Sequence, residues 1–449
     1  MAPAIMPTRI LVVGGGGREH ALAWKLASEP GVNRVVLAPG SAAISAVPRV
    51  ACVPIGVDDT AGLVRLARSE AVELAVIGPE RPLADGLADA LRDAGVPTFG
   101  PSRAAARIEA SKAFCHEVAA AAGVRMARSV VCRSVTEALD AIAELDATGD
   151  GVVLKEDGLA AGKGVVVYGP GATPVEEARA DLGRLFAAGD TTILVEERLS
   201  GSEASVIALA DGRDLVALPA ARDHKRLLDG DSGPNTGGMG AYSPLPDLPD
   251  GLVDEVLATV HRPILAELAR RRTPFVGALY AGLMLTPTGP ALLECNARFG
   301  DPETQAIVPR LAGPLGPVLL AGAHGTLRTA LDAMGVVGSR LPVLPGATVG
   351  VVLAGGSYPR ASSHGDPIAG LDDAEARGGI VFHAGTRRAP DGGYETDGGR
   401  ILTVVGRGSD LEDARRAAEG AADAIVFAGV QRRRDIGVDG RPVAVGTAG

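Results

Sequence analysis

Uninterrupted apolar strands set between helices dominate the first hundred residues, and they restrict the fold more than any other feature of the chain. Arg9-Ile10-Leu11-Val12-Val13 reads as a buried strand, Gly14 to Gly17 as a loop and Arg18 to Ala27 as a helix. Arg34-Val35-Val36-Leu37, then Pro39-Gly40, repeats the pattern, as does Leu74-Ala75-Val76-Ile77, then Gly78-Pro79-Glu80. A strand apolar at every position needs cover on both faces, the condition of a doubly wound parallel sheet. Ligands of such sheets sit at the carboxyl ends of the strands, where the loops at Gly14, Pro39 and Gly78 fall.

The loop Gly14-Gly15-Gly16-Gly17-Arg18-Glu19-His20 superficially matches a dinucleotide fingerprint. Counting G-x-G-x-x-G from Gly14 puts Glu19 at the third glycine, and counting from Gly15 puts His20 there. The acid expected about 20 residues on is also missing from Leu37-Ala38-Pro39-Gly40. Amides at a helix start still suit a lone phosphate. A merely tight strand-to-helix turn is the alternative, with a dinucleotide third.

From about residue 109 to 330 helices are followed by hairpin-like strands, including Val152 to Lys155, Thr192 to Glu196, Glu203 to Ala210 and Gly277 to Leu285. That pattern suggests an α+β region. Strands recur from about 335, at Ala347 to Leu353, Gly379 to His383 and Arg400 to Val405, before an amphipathic helix from about Asp410 to Ile425. At 449 residues two to four domains are expected.

The run Glu294-Cys295-Asn296-Ala297-Arg298-Phe299-Gly300-Asp301-Pro302-Glu303 carries the densest chemistry. Residues two apart on a strand share a face, so Glu294 and Asn296 both offer oxygen there. Hard cations such as Mg²⁺ favour that donor set and keep nucleotide phosphates as further ligands. Arg298, in the same alternation, suits a planar carboxylate or a phosphate. The alternative is a hairpin end with solvated charges.

Lys155-Glu156-Asp157-Gly158-Leu159-Ala160-Ala161-Gly162-Lys163-Gly164 is not a Walker A loop, since Gly164 stands where Ser or Thr would bind the metal. Lying between two expected strands, it is either a mobile Gly-rich lid over triphosphate, with Lys155 as a point charge, or an ordinary hairpin. Ile193 to Glu197, followed by Glu203, can present backbone to adenine and carboxylate to ribose, or is a strand end with solvated acids. Asp223-His224-Lys225-Arg226 and Asp231 to Gly240 read as a long polar loop kept for ligand contact.

Net charge is −10, which disfavours nucleic acid or an anionic membrane as partner. The 4 cysteines are widely spaced and fit a reducing cytoplasm as free thiols. No run of about 18 apolar residues exists. Met1 to Thr8 lacks the basic and apolar regions of a signal peptide, so none is expected.

Taken together, the runs Gly14 to Ala27, Val76 to Leu83, Ser111 to Phe114, Asp157 to Val165, Asp223 to Arg226, Gly233 to Pro244, Tyr280 to Met284 and Asn296 to Gln305 resemble the ATP-grasp ligases of purine synthesis, and within them the phosphoribosylamine–glycine ligase family. The resemblance covers nearly the whole chain. It implies an N-terminal α/β substrate-binding domain over 1–108, an ATP-grasp domain over 109–333 with a lid at about 128–198, and a small α+β C-terminal domain over 334–449. It implies ATP, glycine and 5-phosphoribosylamine as substrates, Mg²⁺ or Mn²⁺ on Glu294 and Asn296, and a monomer or small homo-oligomer. By the same resemblance Lys155, Gly158, Gly162, Lys163 and Gly164 meet the nucleotide phosphates, and Lys112 is a further nucleotide contact. Glu196 and Leu199 hold adenine, and Glu203 the ribose. Gly16, Gly17, Gly40, Glu80, Asn235, Thr236, Gly237 and Gly238 contact phosphoribosylamine. Arg298, Lys225 and Asp223 serve the chemistry. Three substitutions depart from the family pattern: Ser41 in place of its Asn, Glu156 in place of its Ala, and Cys295 in place of a bulkier apolar residue. The strand Tyr280 to Met284 also lacks the second metal carboxylate found in many ATP-grasp enzymes.

Overall fold

The computed structural model describes residues 4–159, 164–171, 173–187 and 192–438. Its N-terminal sheet is parallel and has five strands, in the order Val50–Cys52, Arg34–Pro39, Arg9–Gly14, Leu74–Ile77 and Thr98–Phe99. The chain starts in the middle strand and winds to both sides, so the strand order reverses next to Arg9–Gly14. That reversal opens a crevice at the Gly14 loop. A Cβ on Gly15 would sit 2.7 Å from the Gly40 carbonyl oxygen, which explains why the two loops can interlock only with glycine there. The two flanking strands, of 3 and 2 residues, are too short to leave a period in the sequence.

The middle of the chain builds two antiparallel sheets. One runs Leu215–Ala217, Ser202–Asp211, Val276–Thr286, Gly289–Asn296. The other runs Ser129–Cys132, Ile193–Glu197, Val152–Glu156, Val165–Val167, and the helices Val135–Leu145 and Val175–Phe186 pack on it. This second sheet has its own core, centred on Ile142, Leu154, Leu182 and Val195. By contrast, one continuous core joins Leu11, Val206, Leu279, Val349 and Leu402 from the N-terminal, central and C-terminal sheets. A body with a separate core can move without opening the main one.

The C-terminal sheet has the order Arg222–Asp223, Gly240–Ser243, Ala347–Ala354, Arg400–Gly408, Ile380–His383. Its first two strands border the stretch read above as a polar loop and take only Asp223 and Gly240 from it. Met239, Ala241 and Tyr242 are fully buried, and Gly240–Ser243 pairs antiparallel with Thr348 to Val351. A cut at 333/334 therefore divides a sheet, because strand pairing joins segments more than a hundred residues apart.

Candidate active site

A cleft of about 1300 Å³ lies between the lid sheet, the central sheet, the N-terminal loops and the loops of the C-terminal sheet. Its floor is the strand Gly289–Asn296. Glu294 faces Gly282 on the neighbouring strand, where a Cβ would come within 3.1 Å of the glutamate Cγ. Glu294 and Asn296 are half-buried at the cleft, whereas Cys295 between them is buried. The register slips at Gly282/Leu283, leaving Leu293 as an extra residue. Its freed carbonyl accepts from Lys155 Nζ at 3.1 Å.

Lys225 Nζ stands 3.3 Å from Glu203 and 3.5 Å from Glu294. The Lys225 ammonium, against the opposing effect of burial, brings the Glu294 carboxyl down to about 2. Glu294 is thus ionised throughout the physiological range. Burial and the neighbouring Glu303, Glu203 and Glu294 push the Asp223 carboxyl well up despite Lys225. Lys225 thus stands between two carboxylates, Glu203 and Glu294, and Glu294 and Asn296 present their oxygens to the same cleft. Among the described residues no three His, Cys, Asp or Glu side chains form a cage by themselves. An oxygen pair that relies on phosphates to complete the shell fits that finding.

On the lid side, Lys155 Nζ pairs with Glu196 Oε2 at 2.8 Å, and His116 Nε2 approaches Glu196 Oε1 at 2.9 Å. Ser129 Oγ in turn meets His116 Nδ1 at 3.0 Å. Burial alone would raise the Glu196 carboxyl, but Lys155 and His116 take it below its ordinary value. The Glu196 side chain is thereby committed to Lys155 and His116. Lys112 Nζ donates to the carbonyls of Glu156, at 2.7 Å, and Gly158, at 2.9 Å, fastening the base of the Gly-rich hairpin. Asp157 accepts from the Lys112 amide at 2.6 Å and from Ser111 Oγ at 3.1 Å, joining hairpin and helix Lys112–Ala121. Asp157→Ala is expected to cost about 1–2 kcal/mol by loss of this cap. A urea midpoint equal to that of the unchanged protein would contradict it.

Arg298 is held by two acids, Glu80 at 3.0 Å and Glu109 at 3.1 Å. Burial would raise Glu80, but Arg298 and Arg18 lower it; burial raises Glu109. The sequence reading puts Arg298 on a substrate carboxylate or phosphate; in the fold its Nε and Nη2 face Glu80 and Glu109, and its Nη1 donates to the Phe299 carbonyl at 3.1 Å. Glu80 is likewise engaged.

The cleft walls gather Lys112, Lys155, Gly158, Glu196, Leu199, Glu203, Asp223, Lys225, Asn235, Thr236, Gly237, Glu294, Asn296 and Arg298, with Glu80 at the N-terminal side. Gly16, Gly17, Gly40, Gly164 and Gly238 fall outside them. The Gly16 amide donates to Glu19 Oε2 at 2.8 Å, so part of the loop's anion-binding capacity is taken by the protein's own carboxylate. Gly162 and Lys163 lie outside the described residues. Ser41, in place of the family's Asn, caps the turn that follows by accepting from the Ile44 amide at 3.3 Å. Glu109 and His116 were missed as site residues. Each reaches its partner across 80 or more residues, and no local pattern announces that.

A doubly wound sheet, a strand bearing paired oxygen donors and a separately cored antiparallel lid, all facing one cleft, define an ATP-grasp enzyme, a class that binds ATP with a divalent metal. Within that class the chain belongs to the phosphoribosylglycinamide synthetase family. It matches that family's N domain over residues 8–109, its ATP-grasp (A) domain over 110–304 and its C domain over 348–439. The phosphoribosylamine–glycine ligase of Streptomyces coelicolor is 46% identical over 431 residues, which are 95% of this chain and 98% of that one. The crystal structure of the Thermotoga maritima phosphoribosylamine–glycine ligase aligns with a TM-score of 0.77 at 32% identity, over 95% of this chain and 99% of that one. A biotin carboxylase domain from Hydrogenobacter thermophilus, solved with MgADP and bicarbonate, aligns at TM-score 0.68 and 16% identity over 95% of this chain and 92% of that one, a likeness of fold alone.

Proposed function

We propose that the protein joins glycine to 5-phosphoribosylamine at the expense of ATP, giving glycinamide ribonucleotide, ADP and phosphate in purine biosynthesis. Family membership over nearly the whole chain supports the reading, and one observation carries it at the level of chemistry. Lys155, Lys225, Arg298 and the oxygen pair Glu294/Asn296 converge on one cleft beneath a lid with its own core.

In the first step a glycine carboxylate oxygen attacks the γ-phosphorus, the bond to the bridging oxygen breaks and ADP leaves. Phosphoryl transfer asks the protein mainly for positioning and for charge to face the phosphate oxygens. Lys155 and Lys225 supply that charge from opposite sides, and Lys112 anchors the hairpin that covers the phosphates. Glu294 and Asn296 would hold the divalent ion, Mg²⁺ or Mn²⁺, which would supply neutralisation of phosphate charge. In the second step the amine of phosphoribosylamine attacks the acyl carbon of glycyl phosphate, and inorganic phosphate leaves. Asp223, on the same wall of the cleft as Lys225, orients the attacking amine. Backbone around Glu196 and Leu199 receives adenine, and Glu203 the ribose. Asn235, Thr236 and Gly237 meet the sugar phosphate, with the more recessed Gly16, Gly17, Gly40 and Gly238 shaping their surroundings. The lid excludes water from the acyl phosphate. A single subunit contains every named group, so a monomer or small homo-oligomer suffices. A cytoplasmic location suits the free thiols, and no helix among the described residues is long and apolar enough to cross a membrane.

ADP release is expected only when glycine and phosphoribosylamine are both present. Bicarbonate or formate in place of glycine should give background rates. Release that persists with either substrate omitted, or that bicarbonate sustains, refutes the reading.

A further inference from the structure

Arg433 is the largest of the fully buried side chains among the described residues, at 0% exposure. A guanidinium gives up its water only where several acceptors replace it. Its Nε and Nη2 donate to the two Asp435 oxygens at 2.7 and 2.6 Å. Its Nη1 pairs with Asp231 and donates to the Arg226 carbonyl at 3.3 Å. The same segments are tied again through backbone. The Gly230 amide donates to Asp435 Oδ2 at 2.9 Å, and the Arg434 amide to Asp229 Oδ1 at 2.8 Å.

What this tail segment grips is a hairpin of Arg226–Leu228 and Ser232–Asn235, a two-stranded sheet that is part of no larger one. Such a hairpin is marginally stable by itself in water. Its mouth is closed by Thr236, whose amide and hydroxyl each donate to the Lys225 carbonyl at 2.8 Å. The position of Lys225 is thus coupled to that of the hairpin, and Arg433 ties the hairpin to the rest of the fold together with the Asp435–Gly230 and Arg434–Asp229 bonds and the His224–Asp231 contact at 3.7 Å.

We propose that Arg433 is a positioning residue, which pins the 226–235 hairpin to the C-terminal tail and so fixes Lys225 between Glu203 and Glu294 for phosphoryl transfer. The inference rests on the reading of Lys225 given under Proposed function. A simple structural staple would lower stability without acting selectively on the hairpin or on turnover.

The test is Arg433→Met in the full chain. Amide hydrogen exchange over residues 226–235 is expected to rise about tenfold or more, with the lid and N-terminal sheet unchanged. Turnover in the coupled assay should fall about tenfold, with KM for ATP within about threefold, since Lys155 and Glu196 do not touch the hairpin. Arg433→Lys, which keeps the charge but loses the fork, should recover part of the turnover. If Arg433→Met does not fold, Asp435→Asn reads the same quantities with an effect of about threefold. Unchanged exchange in the hairpin overturns the proposal, as does wild-type turnover in the deciding variant. Should the unaltered protein show no coupled ADP release, the functional reading falls. The exchange measurement would then still decide whether Arg433 pins the hairpin.

Discussion

Glu294→Ala is expected to leave a folded protein whose coupled ATP turnover is lower by about a thousandfold, or ~4 kcal/mol of transition-state stabilisation. The carboxylate has two tasks in the cleft. It is one of the two proposed oxygen donors toward the ion, and it balances Lys225 at 3.5 Å. Removing it strips the phosphate site of a ligand and leaves Lys225 to lean toward Glu203, 3.3 Å away. Stability should change little, because the Glu294 and Lys225 side chains are 39% and 33% exposed and water takes over from the lost partner. Steady-state turnover with saturating ATP, glycine and phosphoribosylamine, beside a thermal melt, separates the two effects. Turnover within tenfold of the unchanged protein would remove Glu294 from the proposed metal site.

Arg298→Met should show the opposite balance, with the larger loss in stability. Glu80 and Glu109 both depend on this guanidinium, and the Glu109 side chain is only 7% exposed. Taking away one partner of a buried ionic group costs about 3–5 kcal/mol, since the remaining carboxylates stay desolvated and face each other. The loss depends on pH with a definite sign. Without Arg298 the folded-state pKa of both carboxyls rises, because only Arg18 and backbone amides then oppose burial and the repulsion between the two acids. Protonated carboxyls favour the folded variant below the unfolded value of about 4, and that contribution disappears as pH rises through the raised pKa values. In the unchanged protein Glu80 is held low, so its contribution is present above the unfolded value and lost in acid. The gap in urea midpoint between the two proteins should therefore widen from pH 5 to pH 7. Equal midpoints at pH 7 would show that the bracketing of Arg298 contributes nothing to the fold.

Much of the cleft was legible from runs of adjacent residues. Alternation on a strand put Glu294 and Asn296 on one face, and the observed pairing with Gly282 and Tyr280 keeps them there. The wholly apolar run Ile10 to Val13 gave a strand buried on both faces in a parallel sheet. Less was legible where a residue's role depends on a distant partner. Glu196 looked like a nucleotide contact because it ends an apolar strand; its carboxylate meets Lys155, on a neighbouring strand of one short sheet, and His116, on the helix Lys112–Ala121, 41 and 80 positions away, contacts that exist only after folding. Arg298 looked open to a substrate for the same reason. The stretch from Asp223 to Gly240 read as loop because its strands are 2 to 4 residues long, shorter than any period that could reveal them.

By itself the sequence determined which segments bury, where the backbone must bend closely around glycine, and the donor atoms available at Glu294 and Asn296. Those properties arise within a few residues of chain, so spacing and side-chain type settle them. Tertiary structure alone decided which charges are already neutralised. Arg298 between Glu80 and Glu109, Lys155 on Glu196, and Arg433 between Asp231 and Asp435 are pairings across the fold. Coulomb attraction falls with distance through space and takes no account of distance along the chain.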